Sequence, residues 1–406
     1  MDQWMWAFRN LWRQKKRTFL NASTLSLGMA FLFLGIGWMG GYNTFIFKGV
    51  QDFDTGQAQI VRPDYLAEER RLPLNLTLVG EPNLSAARQW KGVAHASARL
   101  DFLGKISFKG RSTHLLVRAL NFDDEAEVTV LHQQIKRGAY PHGPGLLLGQ
   151  GLADKWKLAP GDTVYLTAFD SQGAENFTYA QVSGIFSFGY SPLDDHVVYW
   201  DLPSAWSLLD LNGRVDRIVL RLEPGVNPDD WVNKIHPVLP TGVKLYSWKR
   251  FAAETIDAVN ADEGSFYFLL TLVFLLATLG MLNSMSMSIH ERRRELGTLR
   301  ALGMRRAGVM GLVLREGVAL GFVATVVGAI IATPLAIWLG SVGLDLKPYL
   351  PPDLPFPFGD RFYAVFQWQS YVLTVSTGWG ASLLGACLPA QRASRAVVVR
   401  SISGRG

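Results

Sequence analysis

HERRRELGTLRALG, residues 290–303, packs six formal charges into fourteen residues and lies between two of the most apolar stretches of the chain. Those neighbours, roughly 265–289 and 316–340, are nearly free of charge, as are 19–42 and 370–390. Each window offers about 20–25 residues, enough for a helix to cross a hydrocarbon core of about 30 Å. The charged block therefore reads as the link between two membrane spans. The chain reads as a membrane protein with four transmembrane α-helices and a large extracytoplasmic α+β domain between the first and second.

Lys and Arg gather beside some of these windows and avoid others. The N-terminal flank has Arg9, Arg13, Lys15, Lys16 and Arg17. The block and its continuation hold Arg292, Arg293, Arg294, Arg300, Arg305 and Arg306, and the tail has Arg392, Arg395, Arg400 and Arg405. The link between the third and fourth windows holds only Lys347 and Arg361. Positive charge stays on the cytoplasmic side, so both termini and the block are expected there. The net charge of +6 follows from this asymmetry and does not call for nucleic acid; the basic rim suits anionic membrane lipids. The first window is too long for a signal-peptide core, and WMGGYNTFIF offers no small-x-small cleavage site, so an uncleaved span is expected. The single cysteine, Cys387, falls in the last span and can build neither a disulfide framework nor a thiolate metal site.

The expected order is as follows. Residues 1–18 form a cytoplasmic amphipathic helix with Trp4, Phe8, Leu11 and Trp12 on one face. Span one is 19–42, the external domain 43–264 and span two 265–289. The charged block is 290–311, span three 312–340, an external loop 341–369, span four 370–390 and a cytoplasmic tail 391–406. Within the external segment, alternation and β-branched enrichment mark strands at 57–62, 104–110, 113–120, 146–150, 162–169, 178–186, 196–200 and 216–222. Helices are expected at 85–90, 150–157, 202–210 and 228–239. The proline-rich KPYLPPDLPFPFGD reads as an extended connector.

The search for chemistry is mostly negative. The chain has no G-x-x-x-x-G-K-[ST], H-E-x-x-H, G-x-S-x-G or S-x-x-K motif. Gly149-Gln150-Gly151 is a fragment of a dinucleotide fingerprint without its third glycine. Asp194-Asp195 follows Ser-Pro and reads as a solvated turn. The spans carry no midplane cluster of ionisable groups, as an intramembrane enzyme or ion-coupled transporter would need. Arg315 and Glu316 stand near the cytoplasmic start of span three, where long side chains reach water. Pro334 is the one candidate kink. The expectation is a non-catalytic subunit without a cofactor or metal of its own.

In the block, Glu291 and Glu295 stand near a helix start, where the helix dipole favours acids. Leu296, Leu299 and Leu302 share one side, while Arg293, Arg294, Gly297 and Arg300 take much of the remainder. Such a pattern suits either a solvated loop or a helix that docks a cytoplasmic partner. The stretch 283–339 resembles the FtsX-like permease domain of MacB/LolC/LolE-type ABC transporters. Asn283, Met285, Glu291, Arg292, Arg294, Glu295, Gly297, Leu299, Arg300, Ala301, Leu302, Gly303, Glu316 and Gly317 carry the resemblance. AFRNLWRQKKRTFLNASTLSLGMAF, LLLGQGLADKWKLAPGDTVYLTA and VKLYSWKRF extend it across most of the chain, with VKLYSWKRF similar to the lipoprotein-releasing branch. PAQRASRAVVVRSIS is similar to the family's tail but lacks its usual proline.

The resemblance implies that the block is a coupling helix seated in a groove of a separate P-loop ABC ATPase. Two copies of that ATPase would bind the ATP and Mg²⁺. Glu291, Arg292, Glu295, Leu296, Leu299, Arg300 and Gly303 are then its contacts, with removal of a buried anchor such as Leu299 costing about 1–3 kcal/mol of docking energy. Gly303 also suits a helix end, where φ > 0 is often required. The implied protein is an inner-membrane permease, homodimeric or paired with a related subunit. It would extract a lipoprotein for a periplasmic carrier by mechanotransmission, moving its external domains without an aqueous pore. Leu27, Phe31, Leu32, Phe33 and Ile36, with Phe45 and Phe47 above them, are candidate lipid or cargo contacts, ordinary lipid contact or dimer packing being the alternative. The 187–200 turn is a candidate carrier contact. A tripartite efflux permease for toxins or peptides, and an FtsX-like regulator of cell-wall hydrolases, are the other functions open to this machinery.

Overall fold

The computed structural model describes residues 15–189, 191–235, 239, 242–345 and 361–395. Trp4, Phe8, Leu11 and Trp12 of the expected amphipathic helix, KPYLPPDLPFPFGD and residues 396–406 lie outside them. The described chain divides into two compact units, one drawn from residues 15–44, 258–345 and 361–395, the other from 45–257.

The first helix, α1 (Lys15–Val50), is longer than the apolar window and ends in a π-helical turn, Gln51–Thr55. There the external unit begins with β1 (Ala58–Val61), α2 (Pro63–Glu68), β2 (Leu78–Val79) and α3 (Gly80–Arg88). A long hairpin follows, β3 (Val93–Phe108) and β4 (Arg111–Leu120). Its turn is Lys109-Gly110, with φ +47° and +80°, the left-handed pair that matches the twist of a two-residue hairpin. Next come α4 (Phe122–Val128), capped by the Asn121 side chain, then β5 (Ile135–Gly138), β6 (Leu146–Gly149) and α5 (Gln150–Trp156). The unit continues with β7 (Thr163–Phe169), β8 (Glu175–Phe186), α6 (Ser191–His196), β9 (Val197–Asp201) and α7 (Leu202–Leu209). It closes with β10 (Arg214–Val215), β11 (Arg217–Leu222), α8 (Pro228–Ile235) and β12 (Lys244–Ser247).

Ten strands form one sheet, ordered β12-β1-β11-β3-β4-β9-β6-β8-β5. β7 pairs with both β3 and β8, so the pairings β3-β4-β9-β6-β8-β7 return to β3. The length of β3 permits this: on one side its first half pairs with β11 and its last residues, Lys105–Ser107, with β7. Leu100, Val117, Leu148, Val164, Ile185 and Val198 fill the enclosed core.

Charges are buried here as well. The Arg99 guanidinium, with Nε 3.1 Å from Glu125, faces a carboxylate that also accepts from the Ser97 and Thr129 hydroxyls at 2.8 and 2.9 Å. Arg118 holds Asp101 through two 2.9 Å bonds and also reaches Asp54. Arg217 meets Asp216, Tyr65 and Glu69. Asp52 and Asp54 come from the turn that ends α1, and Arg221 binds Asp52 at 3.2 Å. The end of α1 is thus fastened by arginines of β4 and β11.

One motif fares differently from its sequence reading. Asp194 lies in α6, not in a solvated turn. It is buried and accepts from the backbone N–H groups of Phe188 and Gly189 and from the Ser187 hydroxyl. Burial raises its carboxyl above the usual value, although these donors oppose the shift. The Gly149-Gln150-Gly151 junction packs on this same segment: a Cβ on Gly149 would stand 2.1 Å from the Asp194 carbonyl oxygen. Gly149 serves close backbone approach, and Gly151 leaves room for the Asp195 side chain. Gly149→Ala is expected to destabilise the external unit by at least about 1–3 kcal/mol, the usual cost of overpacking. Thermal unfolding of the purified chain checks this; an unchanged transition would mean that α6 moves aside freely.

The membrane unit adds α9 (Ala253–Glu291), α10 (Arg293–Ala301), α11 (Arg306–Ser341) and α12 (Trp368–Arg395) to α1. Among the described residues four helices, α1, α9, α11 and α12, have the length and hydropathy to cross a membrane. α11 begins six residues before the window expected for the third span and continues through Pro334. α11 and α12 meet along small residues, with Gly317 and Gly321 against Ser382 and Ala386, and the Ser382 hydroxyl donates to the Gly317 carbonyl. Such seams suit lipid, where close backbone approach replaces the hydrophobic drive. Phe268, Leu276 and Leu279 of α9 stay exposed.

Candidate functional site

The charged block folds into a short capped helix. α9 runs to Glu291, Arg292 departs from helical geometry with φ −99° and ψ 14°, and α10 follows immediately. Gly303 ends it with φ +97°. The Met304 N–H bonds the Leu299 carbonyl at 3.1 Å, and the Gly303 N–H bonds the Arg300 carbonyl at 3.1 Å. This is the Schellman pattern, with Leu299 and Met304 packed in the same apolar cluster, as that motif favours. A β-carbon on Gly303 would meet nothing within 4 Å, so its requirement is conformational.

The two faces of α10 differ sharply. Leu296 is buried, and Leu299 is half-buried, against Met281, Met285, Val309, Leu312, Ala390 and Ala393 of the chain's own bundle. Arg292 donates to Glu295 at 3.1 Å and to Glu316 of α11 at 2.8 Å. Arg300 donates to the Ser394 carbonyl of α12 at 2.9 Å. Glu291, Arg294, Glu295, Thr298, Ala301, Leu302 and Gly303 face outward, Leu302 being 80% exposed. The family resemblance implies that Leu296, Leu299, Arg292 and Arg300 are among the partner contacts. The structure turns them inward, because α10 lies against α9, α11 and α12 and must cover that side with apolar and paired groups. Glu316 likewise does not reach water but is 7% exposed. Its one visible signal in the sequence is an acid within an apolar window.

The candidate lipid contacts separate in the same manner. Leu27 and Phe31, one turn apart on α1, are 59% and 52% exposed. Leu32 is buried and Ile36 half-buried; Phe33 is buried, with its ring 5.0 Å from Phe366 and 4.2 Å from Tyr371. In the external unit Phe47 packs on Trp248 at 5.2 Å, and Phe45 is half-buried. The 187–200 stretch is occupied largely by α6 and β9. Among the described residues no group of three or more His, Cys, Asp or Glu side chains could hold a metal ion.

The described chain thus combines four helices of spanning length, an α+β domain inserted after the first and a capped amphipathic helix against one end of the bundle. Residues 18–238 match the MacB-like periplasmic core domain, and residues 267–398 match the FtsX-like permease C-terminal domain. The chain belongs to this family of FtsX-like ABC transporter permeases with a MacB-like periplasmic domain.

The lipoprotein-releasing system transmembrane protein LolC of Xylella fastidiosa is 23% identical over 291 residues, 66% of this chain and 70% of that protein. The macrolide export ATP-binding/permease protein MacB of Hyphomonas neptunium is 26% identical over 150 residues, 36% of this chain and 20% of that protein. The crystallised periplasmic region of MacB from Actinobacillus actinomycetemcomitans overlays 51% of this chain and 95% of its own, with 11% identity and a TM-score of 0.38. The protein is thus a bacterial inner-membrane ABC permease, of a family that works with an ATPase partner.

Proposed function

We propose that this permease releases lipoproteins from the inner membrane to a periplasmic carrier, driven by a separate ABC ATPase dimer. The outward face of α10 carries the reading: a rigidly capped helix presenting Glu291, Glu295 and Leu302 is a docking element for a cytoplasmic subunit. ATP and Mg²⁺ belong to that subunit, and this chain needs none of its own. Both termini and α10 face the cytoplasm, as the distribution of Lys and Arg favours. The permease works as a dimer with itself or a related chain, and closure of the ATPases shifts α10, the spans and then the external domains. Similarity to LolC over two thirds of the chain supports a lipoprotein cargo, and the exposed Leu27 and Phe31 suit acyl chains. Efflux is the second reading, favoured by the match to MacB.

Pull-down of the complex from native membranes, with mass spectrometry of what is retained, tests both. An ATPase with acylated lipoproteins supports release. An ATPase with a periplasmic adaptor and an outer-membrane channel supports efflux. Retention of no ATPase would overturn the docking role of α10.

A further inference from the structure

The pairing of Arg292 with Glu316 lies outside the surface offered to a partner. Arg292 stands at the only interruption between α9 and α10. Its guanidinium bridges Glu295 of α10 and Glu316 of α11, with side chains 11% and 9% exposed for Arg292 and Glu316. At the opposite end of α10, the Arg300 guanidinium donates to Ser394 in the last turn of α12, where the helix dipole leaves partial negative charge. The α10 helix is nine residues long, too short to keep its position by helix propensity alone. Leu296 seats its middle, but apolar contact permits sliding, whereas charge-assisted hydrogen bonds are directional.

We infer that Arg292 and Arg300 are positioning residues, which clamp α10 to α11 and α12 so that force on its outward face reaches the third and fourth spans. They are not the ATPase's contacts. Without the clamp, a push on α10 would be absorbed by rotation at the Arg292 break. This inference rests on the docking role proposed above for α10.

The native Cys387, half-buried in α12, supplies a reporter that needs no knowledge of the cargo. The full permease–ATPase complex is assembled with Arg292→Ala, Glu316→Ala, the double variant, Arg300→Ala, or Leu302→Asp. Two quantities are read: ATPase retained per permease, and the difference in maleimide labelling of Cys387 between nucleotide-free and vanadate-trapped complexes. The clamp variants should retain the ATPase as the wild type does, while the labelling difference shrinks about tenfold, the scale of coupling between linked sites. The double variant should be no worse than either single change, since the pair acts as one unit. Glu316→Gln, which keeps shape and an acceptor, covers the case in which Glu316→Ala fails to insert; a smaller loss of the same kind is expected.

Loss of ATPase from Arg292→Ala comparable to that from Leu302→Asp would overturn the clamp. So would an intact labelling difference in Glu316→Ala and Glu316→Gln, or wild-type Cys387 labelling that ignores nucleotide. Retention of the ATPase by Leu302→Asp would instead overturn the docking role, whatever the clamp variants show.

Discussion

Glu125→Ala is expected to lower the thermal unfolding transition of the external unit by about 6–20 °C. Removing one partner of a buried ion pair costs about 3–5 kcal/mol, and about 2–4 °C accompanies each kcal/mol in a domain of this size. The side chains of Arg99 and Glu125 are 2% and 1% exposed. Without Glu125 the Arg99 guanidinium loses its main counter-charge, and Ser97 and Thr129 lose an acceptor, in a place water does not reach. Glu127→Ala, at an exposed position of the same helix, should barely move the transition.

Acidification probes the same network. Burial pushes Glu125 and Asp101 upward, but the facing arginines outweigh it and hold both carboxyls below their usual range. Partial burial pushes Asp54 upward too, but Arg118 and Arg99 likewise hold it lowered. A depressed folded pKa means stabilisation that is complete above the ordinary carboxylate value of about 4 and is lost as pH falls toward the folded values. Asp216 acts in the opposite sense: burial and the neighbouring Asp101 raise it, so it gains stability as pH falls through its raised value. With three carboxyls lowered against one raised, the network should weaken below about pH 4. The slope should be shallower in Glu125→Ala. Melting scans of the detergent-solubilised full chain, followed through tryptophan fluorescence across pH, measure both effects. A shift of under about 1 kcal/mol for Glu125→Ala would show that water hydrates the orphaned guanidinium.

The second large effect is loss of the ATPase from Leu302→Asp. Anchor residues at protein interfaces are worth about 2 kcal/mol or more, which is about thirtyfold in affinity. A carboxylate forced into the same groove adds its desolvation cost. The chain itself should stay folded, because Leu302 is 80% exposed and covers no part of the bundle. Leu296→Asp makes the contrast. Its side chain is 7% exposed among Met285, Val309 and Ala390, so its damage should appear in membrane-inserted protein and thermal stability. Quantifying retained ATPase alongside inserted permease separates the two. Wild-type retention in Leu302→Asp would place the docking contacts elsewhere on the chain.

Patterning alone determined much of this architecture. Apolar windows of spanning length, a basic flank on alternate links and an α+β segment between the first two spans were readable because lipid imposes length and because alternation imposes strand faces. The strands at 57–62, 146–150, 162–169, 178–186, 196–200 and 216–222 fall within a few residues of β1, β6, β7, β8, β9 and β11. Gly303 was likewise legible as a helix end, since its φ of +97° is costly for residues with a β-carbon.

The first half of β3 was not legible. Val93–Leu103 carries Ser97, Arg99 and Asp101 at buried positions, so the usual alternation of apolar and polar residues is absent there. Of their partners, Arg118 faces Asp101 across the β3–β4 hairpin, Glu125 arrives on α4 and Asp216 comes from the start of β11, so pairing between segments, and not the local pattern of β3, satisfies them. The face of α10 was ambiguous for a related reason. Three leucines on one side announce burial without saying against what. Packing against α9, α11 and α12 claimed Leu296 and much of Leu299, set Arg292 against Glu316, and left Leu302 outward. Local pattern shows that a side chain must be satisfied; only tertiary contact between distant segments decides which partner satisfies it.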